Sequence, residues 1–184
     1  MRKENRTLVS LPKSGKGIMM RNVLVLAAVF AVAAGPAVAA DTAASVQKTL
    51  QADYDARDQA VARRDIAATL SHYAPNFVGV SRTGQTHGLP EERADFLATF
   101  HLPARPGVTH STIQKLTLAK AGTEAGVSLH RLGSLSLADP QTHTSRTVVL
   151  NGTYQDVWVK HAGVWLLARE QEVSVAASLN GKPL

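Results

Sequence analysis

The stretch Tyr154 to Val175, YQDVWVKHAGVWLLAREQEVSV, decides the fold, because it reads as two long strands joined by a tight turn. Alternation at period two puts Tyr154, Asp156 and Trp158 on one face and Gln155, Val157 and Val159 on the other. Lys160, His161, Ala162 and Gly163 supply the polar and glycine character of a hairpin connection. From Trp165 onward the same period groups Trp165, Leu167, Arg169, Gln171 and Val173 opposite Val164, Leu166, Ala168 and Glu170. An aromatic and apolar face interrupted by Asp156, Arg169 and Gln171 fits a polar-lined pocket under a curved sheet. It fits equally a sheet edge carrying solvated polar residues.

Upstream of this hairpin, residues 43 to 62 lack Gly and Pro and read as a helix. Val46, Leu50, Tyr54, Arg57 and Val61 share one stripe of it. An arginine within an apolar stripe must snorkel to water or meet a carboxylate, and Asp53 and Asp156 are the expected partners. Asp65 caps a shorter second helix carrying Ile66, Leu70 and Tyr73, which Pro75 terminates. A first strand spans Phe77 to Val80, and Ser81 to Pro90 is a glycine-bearing loop. Pro90, Glu91 and Glu92 open a third helix that packs through Phe96, Leu97 and Phe100.

Strands follow over 109–119, 125–132, 146–159 and 165–175. In the first of these, Leu116 and Leu118 fall out of step with Ile113; in the second, Val127, Leu129 and Arg131 lie opposite Ser128, His130 and Leu132. Asn151-Gly152 reads as a hairpin turn or as a bulge within one strand. The order is an α+β plan. A sheet strongly curved over helices would leave a cone, filled at its narrow end and open at the other.

Residues 1–40 read as an export signal and N-terminal extension, and residues 41–184 as a single domain. Arg21 precedes a twelve-residue apolar run, Val23 to Ala34, and Ala37-Val38-Ala39 offers a cleavage pattern near Ala39/Ala40. The run is short against the roughly 20 residues a membrane-spanning helix needs, so the expectation is a periplasmic or secreted protein without an anchor. Six of the twenty Lys and Arg residues and one of the fourteen acidic residues lie in this leader, so the rest holds fourteen against thirteen. No basic stripe remains to follow a phosphate backbone, and a nucleic-acid partner is not expected. With no Cys there are no disulfides.

Gln51 to Val80, QADYDARDQAVARRDIAATLSHYAPNFVGV, with Gly84 and the later YQDVWVKHAGVWLLARE, resembles the DUF4440 and SnoaL-like branch of the nuclear transport factor 2-like (NTF2-like) superfamily. The likeness covers nearly all of residues 43–175. It implies a cone-shaped α+β fold, with a curved, mostly antiparallel sheet on three N-terminal helices. It also implies a pocket between sheet and helices, and pairing as a homodimer through the sheet. Members range from isomerases and polyketide cyclases to non-catalytic binders and association domains, so activity does not follow from the likeness. Against ketosteroid isomerase, matching the second helix to Arg64-Asp65 puts the catalytic tyrosine position at Arg57 and the base position at Ser81. Neither residue can do the original job.

The seven histidines form no HxH or HExxH pattern, so no metal is expected, and no glycine run makes a phosphate loop, so no cofactor is. Glu170 and Glu172 share a strand face and read as solvated. The favoured reading is binding of a small, partly apolar molecule without chemistry. Tyr54, Tyr73 and Trp158 would form its wall, and Arg57, His130, Asp156 and Gln171 would fix its orientation. The alternatives are a proton-transfer enzyme, an isomerase or cyclase with Asp156 or His130 as base and Arg57 or Tyr54 steadying negative charge, and a homodimeric association domain.

Overall fold

The computed structural model of the protein describes residues 41–119, 121–138 and 144–184. The expected signal segment and its cleavage point lie outside them. Among the described residues no helix is long and apolar enough to cross a membrane.

Helix α1 spans Ala43–Arg63. Thr42 starts it, its hydroxyl accepting from the Ser45 amide at 3.1 Å, and it ends at Arg64 in the left-handed conformation. The stripe read from sequence is the buried one: Val46, Leu50, Tyr54 and Arg57 all face the sheet. The second helix is shorter than its periodicity implies. Only Ile66–Thr69 forms α2, and Tyr73 opens strand β1 (Tyr73–Val80), so Pro75 lies inside a strand. The expected loop holds another strand, β2 (Thr86–Gly88), before α3 (Leu89–His101). Long strands β3 (Ala104–Leu118), β4 (Glu124–Ala138), β5 (Ser145–His161) and β6 (Val164–Leu179) follow, with a two-residue β7 (Lys182–Pro183). The β5–β6 turn has Ala162 and Gly163 both at positive φ, the geometry of a two-residue hairpin.

The strands form one sheet in the order β2-β1-β6-β5-β4-β3, with β7 beside β6. The cone expected from sequence is corrected here. The sheet is an open path with β2 and β3 at its two edges, neither closed nor strongly curled, and it is mixed because β1 runs parallel to β6. The α+β character stands. One part of the β3 edge is already occupied: the Gln51 amide nitrogen donates to the Ser111 carbonyl at 2.8 Å and its oxygen accepts from the Ile113 amide at 3.0 Å. Asp58 takes the Ser111 amide at 2.6 Å. Helix α1 thus caps backbone groups that an edge strand would otherwise leave free.

Single-residue register slips explain where simple alternation fails. Ile113 pairs with Leu129 and Lys115 with Ser128, so Gln114 is extra, and this brings Leu116 and Leu118 onto the face that Ile113 occupies. On β6 the slips fall at Ala168 and Val173. Asn151-Gly152 is neither a turn nor a bulge, because both residues pair in step with β4. Glycine is needed there for space: a Cβ would stand 2.7 Å from the Tyr154 ring, which folds back over it. The core joins Val46, Leu50 and Tyr54 of α1 to Ile113, Val127, Leu129, Trp158, Trp165 and Leu167 of the sheet.

Candidate functional site

Strand pairing lines up one row of residues across the helix-facing side of the sheet. His87 of β2 pairs with Gly79 of β1, Gly79 with Glu170 of β6, and Glu170 with Asp156 of β5. With neighbouring strands about 4.8 Å apart, an imidazole, a gap and two carboxylates stand side by side.

Glu170 reaches this face only because of the slip at Ala168. Trp165 and Leu167 point inward, Ala168 is extra, and Glu170 and Glu172 then take the inward positions while Arg169 and Gln171 turn outward. The solvated reading of Glu170 is therefore corrected. Arg131 grips it with two bonds, 3.1 and 2.8 Å, and Arg57 adds a third at 3.0 Å. Burial alone would raise the Glu170 carboxyl, but Arg131 and Arg57 together drive it well below the ordinary carboxylate range. Arg131 is stacked on the Tyr154 ring at 4.4 Å, and Arg57 lies over the Tyr73 and Phe96 rings at 5.2 and 5.8 Å.

Asp156 is the neighbour of Glu170 and takes no cation among the described residues. Tyr54 donates to its Oδ2 at 2.5 Å, and the Trp158 indole donates to the Tyr54 oxygen at 2.8 Å. Its Oδ1 is buried with no hydrogen-bond partner. Burial first, and then the charge of Glu170, push the Asp156 carboxyl up to about 7. Tyr54 is held well above its ordinary value by burial and by Asp156, so the shared proton stays on the phenol.

The third element of the row is His87, whose Nε2 lies 2.8 Å from Glu92 Oε2. A carboxylate only accepts, so Nε2 donates to it, and in the neutral ring Nδ1 is then the nitrogen with the lone pair. The Tyr73 hydroxyl donates to the other Glu92 oxygen at 3.3 Å. Gly79 makes room for the ring: a Cβ there would stand 2.2 Å from the imidazole. The start of α3 sets the carboxylate in place, since the Gly88 amide donates to Glu91 at 3.1 Å and Glu92 follows in the first turn.

These groups face a cavity of about 280 Å³ lined by Arg57, Phe77, His87, Glu92, Arg131, Tyr154 and Glu170 among others. A second hollow of about 220 Å³ adjoins it, sharing Val61, Thr109, Arg131 and Tyr154. Of the residues singled out in the sequence, Arg57 lines the first cavity, paired with Glu170; neither Asp53 nor Asp156 is its partner. Asp53 instead faces His72 at 3.7 Å. Tyr54, Asp156 and Trp158 meet one another in the closed core and line neither hollow. Tyr73 is buried and lines neither hollow; it touches the wall of the first through Glu92, Phe77 and Arg57.

His130 and Gln171 lie on the outer face of the sheet, His130 with Asn151 at 2.7 Å and Gln171 with Arg169 at 3.2 Å. Sequence reasoning missed His87 and Glu92, and with them the buried roles of Arg131 and Glu170. The available signal was a histidine next to Gly88, just ahead of a helix whose first turn carries two acids. Among the described residues no group of three or more His, Cys, Asp or Glu is arranged to hold a metal.

No family model matches the chain, and no curated protein matches it in sequence. Solved structures do match in shape. A conserved protein from Planctomyces limnophilus superposes with a TM-score of 0.57 at 14% identity, covering 73% of this chain and 99% of that one. A hexachlorocyclohexane dehydrochlorinase (LinA) type 2 gives 0.53 at 15% identity, covering 77% and 90%. A nuclear transport factor 2 (NTF2-like) superfamily protein from Salmonella enterica gives 0.52 at 10% identity, covering 71% and 92%. The fold is NTF2-like. That superfamily holds both enzymes and non-enzymes, so the NTF2-like fold leaves the work of this cavity to be argued from its side chains.

Proposed function

We propose that this protein is a proton-transfer enzyme, of isomerase, cyclase or lyase type, acting on a small neutral molecule with an acidic C–H. The observation that carries the reading is the His87–Glu92 dyad on the cavity wall, with Nδ1 unpartnered among the described residues. His87 takes the proton on Nδ1, and Glu92 steadies the imidazolium that forms. Arg57 donates one N–H group to Glu170 and retains others without a protein partner among the described residues. These N–H groups and the Tyr154 hydroxyl meet the negative charge that develops. The base thus differs from the sequence-derived candidates: Asp156 is sealed in the core, and His130 is on the far face.

The reading is supported by the presence of a hexachlorocyclohexane dehydrochlorinase among the solved structures of similar fold. Membership of the DUF4440 and SnoaL-like branch, export to the periplasm or medium, and pairing through the sheet accompany this reading as further proposals. They rest on the sequence resemblance and the leader.

5-Nitrobenzisoxazole tests it, because its ring opens to a coloured phenolate when a base removes the C–H proton and the N–O bond breaks. The protein should outpace free imidazole at equal concentration, and His87→Gln should lower the rate about 10²- to 10⁴-fold. No acceleration by the wild type, or equal rates for the two proteins, rejects the proposal.

A further inference from the structure

Beyond the dyad, the second hollow has a different chemistry from the first. Val61, Phe100, Leu135, Val148 and Leu150 supply its apolar wall, Arg64 also lines it with its guanidinium bonded to the Phe100 and Ala104 carbonyls, and it carries no carboxylate. The polar cavity, by contrast, is lined by five acids, Asp58, Glu92, Asp95, Glu170 and Glu172, against Arg57 and Arg131. With those five acids against two guanidinium groups, the polar cavity disfavours an anionic head group. The Arg131–Tyr154 stack stands between the two spaces and lines both.

Gly133 is the telling position. It follows Arg131 by two residues on β4 and therefore shares its inward face, and a Cβ there would meet nothing within 4 Å. The absence of a side chain at Gly133 keeps the apolar hollow open. A cavity of about 150 Å³ holds a benzene ring; this one, at about 220 Å³, takes a larger apolar group.

We infer that the apolar hollow beside Gly133 is a specificity subsite for the tail of an uncharged amphiphile whose reactive head lies in the polar cavity. The substrate class is a neutral carbon acid, such as a ketone, joined to an aliphatic or single-ring tail. The identity of the head rests on the proton-transfer reading; the tail subsite rests on geometry alone.

Methyl n-alkyl ketones from butanone to nonan-2-one, titrated calorimetrically into the full chain, measure the tail directly. Wild-type affinity should rise about fourfold per added methylene until the hollow is filled. Gly133→Leu should bind butanone as the wild type does, which also shows that it is folded, yet lose the chain-length increment. Leu150→Asn, at a half-exposed wall position, should reduce the increment without filling the hollow. The absence of an increment in the wild type, or a full increment in Gly133→Leu, overturns the subsite. His87→Gln should keep the increment. If it also keeps the wild-type rate on 5-nitrobenzisoxazole, the proton-transfer reading fails while the subsite stands.

Discussion

Asp156 and Glu170 are direct neighbours across β5 and β6, both withdrawn from water, and their carboxyls are driven in opposite directions. Burial pushes each toward the neutral acid. Glu170 has two guanidinium groups within 3.0 Å and is held ionised; Asp156 has a phenol and is pushed up to about 7. Two like charges directly opposite on a sheet repel, and the molecule avoids that by giving all its buried cation to one side. What differs between the closed and open ends of the site is therefore the supply of counter-charge rather than the degree of burial.

Removing that asymmetry should have the largest effect. Glu170→Ala strands Arg57 and Arg131 in a low-dielectric pocket and should cost about 3–5 kcal/mol in urea unfolding. A loss under about 1 kcal/mol would show that Asp58 or Glu172, both on the same cavity, takes over as partner.

The same comparison predicts opposite pH responses. Asp156 moves from an ordinary 3.8 up to about 7 on folding, so the folded state holds its proton more tightly than the unfolded chain does. Its contribution is fully present below about pH 4 and is lost as pH rises through 7, at most on the order of 4 kcal/mol at 1.36 kcal/mol per unit. Glu170 is depressed, so its contribution is present above its ordinary 4.5 and lost on acidification. Asp156→Asn should flatten the decline in stability between pH 4 and 8 and leave the acid limb in place. An unchanged slope in that window would mean that Asp156 is not the group responsible.

Gly79→Ala comes next. Its methyl group would meet the imidazole, the mobile end of a side chain, so the ring swings aside at a cost of about 1–2 kcal/mol. Separation of His87 from Glu92 should then lower proton abstraction nearly as far as His87→Gln does. A wild-type rate in Gly79→Ala would show that the dyad tolerates the displacement.

Legibility from sequence divides along the same physical line. Where strands pair without slips, residue type and spacing sufficed: Tyr154, Asp156 and Trp158 share the inner face, as do Val127, Leu129 and Arg131. The α1 stripe, with its misfit Arg57, was equally readable. Past Ala168 the period-two rule inverts, and it assigns Gln171 inward and Glu170 outward, the reverse of what the register gives. Nothing in the local sequence marks that extra residue, because an Ala bulge has no composition signal of the kind Gly or Asn would give. His87 escaped for another reason: a three-residue strand is too short for periodicity, and its pairing with Gly79 and proximity to Glu92 are set by tertiary contacts. The overestimated second helix has a similar origin, with Tyr73 drawn into the strand that pairs at Leu167.

The outer face supplies the smallest and sharpest contrast. His130 and Gln171 carry polar chemistry as suited to a site as that of His87, yet they sit on the opposite side of the sheet from the cavity. His130 pairs with Thr153 and bonds Asn151, an arrangement satisfied within the sheet surface and reaching no helix. His130→Ala should therefore change stability by no more than about 0.5 kcal/mol and leave proton abstraction at the wild-type rate, whereas His87→Gln should lower it about 10²- to 10⁴-fold. A substantial drop in His130→Ala would bring the outer face into the reaction, and with it a second copy of the chain. The inward register of the β6 acids would then no longer account for the site.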